Sequence, residues 1–185
     1  MRRFLYIVGY SEGGTSKSRG EILKQLFPEY QFHIINTHIP FYNTSKIYRS
    51  LGFRLKWGPL IKEVNNYIQK AIVNYHYYDI IWVDKAKLIN PETTGQLRHK
   101  TSLLIHYTPD SVFYNNKSHL FYQSINLYNY LITTKSFDRE YYLKYINKEK
   151  LIETTQGFNP YLHKPVNEFN SKKYQTIFIG LGEKS

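Results

Sequence analysis

The chain has 185 residues, 42% hydrophobic and 17% aromatic, which suits a single domain with a sizeable core and excludes wholesale disorder. Cysteine is absent, which excludes disulfides and thiolate metal sites and fits a reducing, cytoplasmic setting. The 25 basic and 14 acidic residues leave a net charge of +11, which favours anionic partners such as phosphorylated ligands, nucleic acid or an anionic membrane surface.

The basic residues are dispersed, with no run of five, so most belong to a solvated surface. The 19 tyrosines reflect genome composition as readily as function. Met1-Arg2-Arg3 precedes an apolar run too short for a signal peptide, and Glu12 follows without a cleavage site. No apolar stretch approaches the ~20 residues of a membrane span.

Phe4 to Gly9 reads as a first strand, entering a glycine- and serine-rich turn from Tyr10 to Lys17. Ser18-x-x-Glu21 has the form of a capping box and opens a helix with Ile22, Leu23, Leu26 and Phe27 on one face, ending near Pro28. Gln31 to Asn36 reads as the second strand. A long aromatic and basic connection follows from Thr37 to Gly58, helical in part between Ser45 and Arg54.

Pro59 suits a first helical position. Leu60, Ile61, Val64, Ile68, Ala71, Ile72 and Tyr75 then recur at helical spacing. The third strand runs from Asp79 to Val83, and Asn90-Pro91 opens a short helix to about Arg98. Ser102 to His106 is the fourth strand, Lys117 to Leu127 a helical segment, and Tyr130 to Thr133 the fifth strand. Ser136 is placed to cap a helix carrying Phe137, Tyr141 and Tyr145, and Leu151 to Thr154 is a short sixth strand. The alternation predicts an α/β fold: a doubly wound, mostly parallel Rossmann-like sheet with helices on both faces.

In such sheets ligands bind outside the carboxyl ends of the strands. Three strands end there in polar clusters: Asp84-Lys85, His106-Tyr107-Thr108-Pro109-Asp110, and Thr133-Thr134-Lys135-Ser136. Asp84 is suited to hold a sugar hydroxyl or act as a base, and Lys85 to meet a phosphate; the alternative is a surface ion pair or a helix-cap contact, but the presence of both on one strand tip favours function. His106 beside Asp110 has the make-up of a general base and its orienting carboxylate, but a His there serves equally as a packed strand residue. The Gly13-Gly14 loop, with Ser16, enters a helix and suits an anion. It matches neither G-x-G-x-x-G nor a Walker loop, and an ordinary turn explains it too. The seven histidines show no H-x-x-x-H pair and no metal-ligand spacing. Aromatic and basic residues interleave from Tyr42 to Trp57, suited to base stacking, to covering a sugar or to packing. No nucleic-acid motif accompanies them, and nucleic acid is not an expected partner.

Taken in order, Asp84-Lys85, the segment 106–110, the segment 133–136, Gln156-Gly157-Phe158-Asn159-Pro160 with His163 and Pro165, and Phe178-Ile179-Gly180 resemble the CgeB-like (spore-maturation type) glycosyltransferases of the GT-B superfamily. The resemblance spans most of residues 1–180. It implies the N-terminal, acceptor-side domain over 1–170, then a linker and the first strand of a truncated second Rossmann-like domain over 171–185. Asp84, His106 and Asp110 would then orient the acceptor or serve as base. Gly13, Gly14, Ser16, Lys85, Tyr107, Thr134, Lys135, Gln156, Asn159 and His163 would contact substrates.

The resemblance further implies no cofactor held by this chain and a UDP-, GDP- or similar sugar donor for the full enzyme. The expected partners are a glycan, lipid-linked or protein acceptor, a separate C-terminal half, and peripheral contact with an anionic membrane at its inner face. The alternative is a non-catalytic Rossmann-like binding or regulatory module.

Overall fold

In a computed structural model, residues 1–114, 116–157 and 171 are described. Six strands form one sheet: β1 (Arg2–Val8), β2 (Tyr30–Asn36), β3 (Tyr78–Asp84), β4 (Thr101–Thr108), β5 (Tyr130–Thr133) and β6 (Leu151–Glu153). Every pairing is parallel, and the order is β2-β1-β3-β4-β5-β6. The helices are α1 (Thr15–Leu26), α2 (His38–Asn43), α3 (Lys46–Leu55), α4 (Pro59–Ile72), α5 (Pro91–His99), α6 (His119–Ser124) and α7 (Arg139–Tyr142). This is the expected doubly wound α/β architecture.

The unbroken apolar run of β1 follows from burial on both faces. Phe4, Tyr6 and Val8 point to one side and pack with Leu23 of α1 and with Phe27 just past its end. Leu5 and Ile7 point to the other, into the larger cluster with Leu60, Val64 and Ile68 of α4, Leu97 of α5 and Phe121 of α6. The chain winds from β1 to β2 in one direction, then crosses back over β1 to lay down β3. Loops leaving β1 and β3 therefore part to opposite faces, and a crevice opens between their carboxyl ends.

Helix starts follow local chemistry only in part. Pro59 occupies the first turn of α4, and the Asn90 side chain caps α5 by accepting from the Thr93 amide at 2.8 Å. The Ser18–Glu21 capping box does not form. α1 begins earlier, with Gly14 at its cap, and Glu21 instead accepts from the Tyr10 hydroxyl. The Gly13-Gly14 turn brings the chain straight into helical geometry, which leaves Ser18 in the second turn.

Ser136 caps no long helix. It begins a single 3-10 turn, Ser136–Asp138, followed by the four residues of α7. α4 stops at Ile72, short of Tyr75. The long connection after β2 holds both α2 and α3. The sixth strand ends at Glu153. Asn159, His163, the 178–180 strand and all of 171–185 except Ser171 lie outside the described residues.

Ile81 sits at the centre of the sheet, fully buried. Ile81→Ala should cost about 3–4 kcal/mol, seen as a lower urea midpoint at unchanged m.

Candidate functional site

The crevice at the β1/β3 tips is a cleft of about 350 Å³. Gly9, Ser11, Gly14, Thr15 and Ser16 line it from the loop after β1 and the start of α1. Thr37, His38 and Phe41 line it from the end of β2 and α2, Phe53 from α3, and Asp84 to Ile89 from the loop after β3. Of the residues expected from the sequence it gathers Gly14, Ser16, Asp84 and Lys85. Gly13 forms the turn behind them, with a φ of 70° and open space around it.

Asp84 is the most constrained group in the cleft. Its side chain is fully buried and ion-paired through Oδ2 to Arg19 of α1, whose own side chain is 18% exposed. The Tyr6 hydroxyl lies 2.8 Å from the same oxygen and 2.9 Å from the Ser16 carbonyl, so its single proton bridges the β3 tip and the first turn of α1. Burial, reinforced by the charge of Asp84, pushes the Tyr6 phenol far above its ordinary value, which keeps it a neutral donor. The Arg19 guanidinium also stacks over Tyr107, 4.1 Å from the ring centroid. Gly20 permits this: a Cβ there would stand 2.8 Å from the Tyr6 ring. Asp84 Oδ1 is buried and has no hydrogen-bond partner among the described residues, so it can accept from a ligand hydroxyl.

His38 packs against Gly9, where a Cβ would stand 2.4 Å from Nε2. Its backbone amide donates to Asn36 Oδ1 at 3.0 Å, and Asn36 also clamps the backbone of Tyr10. Tyr42 meets the imidazole edge-on at 5.4 Å. Burial, then the nearby charge of Lys85, lowers the His38 pKa below its usual 6.5. The ring is thus neutral at pH 7, and its buried Nδ1 has no hydrogen-bond partner among the described residues. His38 and Asp84 line the same cleft, where a neutral imidazole can take a proton from a ligand hydroxyl.

The other expected residues form the scaffold beside the cleft. Lys85 pairs with Asp110 at 3.1 Å, and Lys87 stands 3.9 Å from the same carboxylate. Thr134 Oγ1 donates to the Pro109 carbonyl at 3.0 Å, and Ser111 Oγ donates to the buried Asp138 at 2.7 Å. The tips of β3, β4 and β5 are tied together in this way. Lys135 opens the turn after β5, and its amide donates to Thr133 Oγ1. Neither Lys135 nor Gln156, which is exposed, reaches the cleft.

The structure places His106 in the core rather than the cleft. β4 continues two residues past it, and its ring is fully buried between Phe121 and Tyr128, at 4.5 and 5.3 Å. Burial lowers its pKa to about 3. The strand alternation sends Tyr107 to the α1 side and His106 to the α6 side, so His106 and Asp110 do not form a dyad.

His38 and Arg19 escape the sequence reading. The carboxyl-edge rule, extended to the second strand, would reach His38 two residues past Asn36. Arg19 is signalled only by its place beside the strand-facing Gly20 and Leu23. Among the described residues no cluster of His, Asp and Glu could hold a metal ion. Comparison with known protein families, curated proteins and solved structures found no match.

Arg19→Met leaves Asp84 buried without its counter-ion and should lower stability by about 3–5 kcal/mol. Lys85→Met breaks only a partly exposed pair and should cost under about 1 kcal/mol; urea denaturation separates the two. Unfolded, His106 titrates near 6.5, and folded only near 3. The unfolded chain therefore gains a proton first as pH falls, and stability is lost from pH 6.5 downward until both states are protonated below 3. His106→Leu should make that loss shallower by up to one proton, about 1.4 kcal/mol per pH unit. Unfolding free energies measured between pH 7 and pH 4.5 check this.

Proposed function

We propose that this chain is the acceptor-side domain of a sugar-nucleotide-dependent glycosyltransferase with the GT-B arrangement. Two things support the reading: the ordered motifs of the sequence, and the cleft at the β1/β3 tips that holds a neutral imidazole, a free carboxylate oxygen and a lysine. The second observation carries it. That set of groups suits a polyhydroxylated acceptor better than an apolar ligand.

In this reading one acceptor hydroxyl donates to Asp84 Oδ1 and anchors the ligand, while a second, attacking hydroxyl donates to the His38 imidazole. The oxygen of this second hydroxyl attacks the anomeric carbon of the donor while its proton passes to the imidazole. The bond between that carbon and the phosphate oxygen breaks, and the nucleoside diphosphate leaves with the electron pair. This reading assigns Lys85, on the lining of the cleft, to the negative charge that accumulates on the leaving group. Asp110 holds the lysine until a stronger anion competes for it.

The test is acceptor-dependent release of nucleoside diphosphate from a panel of UDP- and GDP-sugars, using the protein at the length its gene encodes. His38→Asn should lower turnover by roughly 10²–10⁴-fold and remove the acid limb of the rate profile, which burial and the charge of Lys85 shift to lower pH than that of an ordinary imidazole. Asp84→Asn should raise the acceptor KM more than it lowers kcat. Transfer by His38→Asn at the wild-type rate would overturn the assignment of the base. Glycan binding in the cleft without turnover of any sugar nucleotide would point instead to a non-catalytic binding module.

A further inference from the structure

α3 presents its larger apolar face away from the protein. Gly52 is its only buried residue, and a Cβ there would meet Leu60 Cβ of α4 at 2.6 Å. The helix rests on α4 through bare backbone. Its other side carries Ile47, Leu51 and Leu55 at four-residue spacing with Tyr48 beside them, a stripe within about a third of the helix circumference. Ile47 is 72% exposed and Leu51 and Leu55 more than half. Trp57 follows at 76%. Single exposed apolar residues are ordinary, but a contiguous set of this kind marks a contact surface.

Charge indicates what covers it. From Tyr30 to Lys62 the chain has no acidic residue, while Lys46, Arg49, Arg54, Lys56 and Lys62 fall within the same stretch. Lys46, Arg54 and Lys62 are exposed. Arg49 turns inward over Phe41 and Tyr42, and Lys56 is buried over Phe53. An apolar stripe with a tryptophan at one end and cations at its margins is the make-up of a helix that lies in the headgroup region of an anionic bilayer. No helix among the described residues is long and apolar enough to cross a membrane, so the contact is peripheral.

We infer that α3 and Trp57 form a docking surface for an anionic lipid bilayer. The inference does not depend on the chain being a glycosyltransferase. The protein is sedimented with phosphatidylglycerol–phosphatidylcholine vesicles and with pure phosphatidylcholine vesicles, and tryptophan emission is recorded on mixing. Binding to the anionic vesicles and a blue shift of Trp57 emission are expected, with much weaker binding to the neutral ones. Trp57→Phe should abolish most of the shift, because Trp82, the other tryptophan, is partly buried in the sheet.

Leu51→Asp should weaken partition at least about tenfold. The pair Lys46→Glu and Arg54→Glu should weaken it and flatten its salt dependence. These side chains are exposed, and circular dichroism should show an unchanged fold. Should Leu51→Asp fail to fold, the charge pair and the wild-type emission shift decide the matter. Equal binding to both vesicle types, no binding to anionic vesicles, or anionic binding that Leu51→Asp leaves unchanged would each overturn the inference. So would a dimer in sedimentation velocity that Leu51→Asp dissociates, since a second copy would then be the occupant.

Discussion

A carboxylate removed from water must be neutralised where it lies, and for Asp84 that means Arg19. The pair joins the end of β3 to the second turn of α1, and Tyr6 closes the link from β1. Three elements that meet only at the switch point are thereby fixed in one geometry. The glycine loop has its position because α1 cannot slide along β1 without exposing or orphaning the charge. The same pair uses only one oxygen of Asp84, and the other has no hydrogen-bond partner among the described residues.

The remaining strand tips divide the work differently. After β4 and β5 the polar side chains bond to one another and to backbone: Thr134 to Pro109, Ser111 to Asp138, Asp110 to Lys85. They hold the wall from which the β3 loop projects. The polar density at three strand ends is therefore one site with its support. α2 and α3 close the far side with Phe41 and Phe53. α3 thus has one side on the cleft and the other outward, only about 10 Å of helix between them.

The fold was legible because its signals are long and mutually consistent. Apolar runs buried on two faces, separated by helical periodicity, allow little besides a parallel sheet, and β5 has the bounds expected for it. The site was legible in part. Asp84-Lys85 and the glycine loop follow from the position of strand ends. His106 misled because chemistry was read from residue type while the end of β4 was set two residues early, and a shift of that kind moves a polar residue into the core. His38 was hidden because the second strand runs into a segment with the look of a loop. Arg19 was hidden because its partner is 65 residues away, and no local pattern records a contact of that range.

Lys85 and Ala86 both have positive φ, at 67° and 26°, a region costly for side chains with a Cβ. Glycine at either position would relax the backbone and, by that measure alone, favour the fold. At position 85 it would also delete the ammonium group that pairs most closely with Asp110 on the lining of the cleft. Selection for thermal robustness and selection for ligand handling thus pull in opposite directions at this turn. Stabilised variants of the protein should accumulate changes everywhere before they accumulate one here.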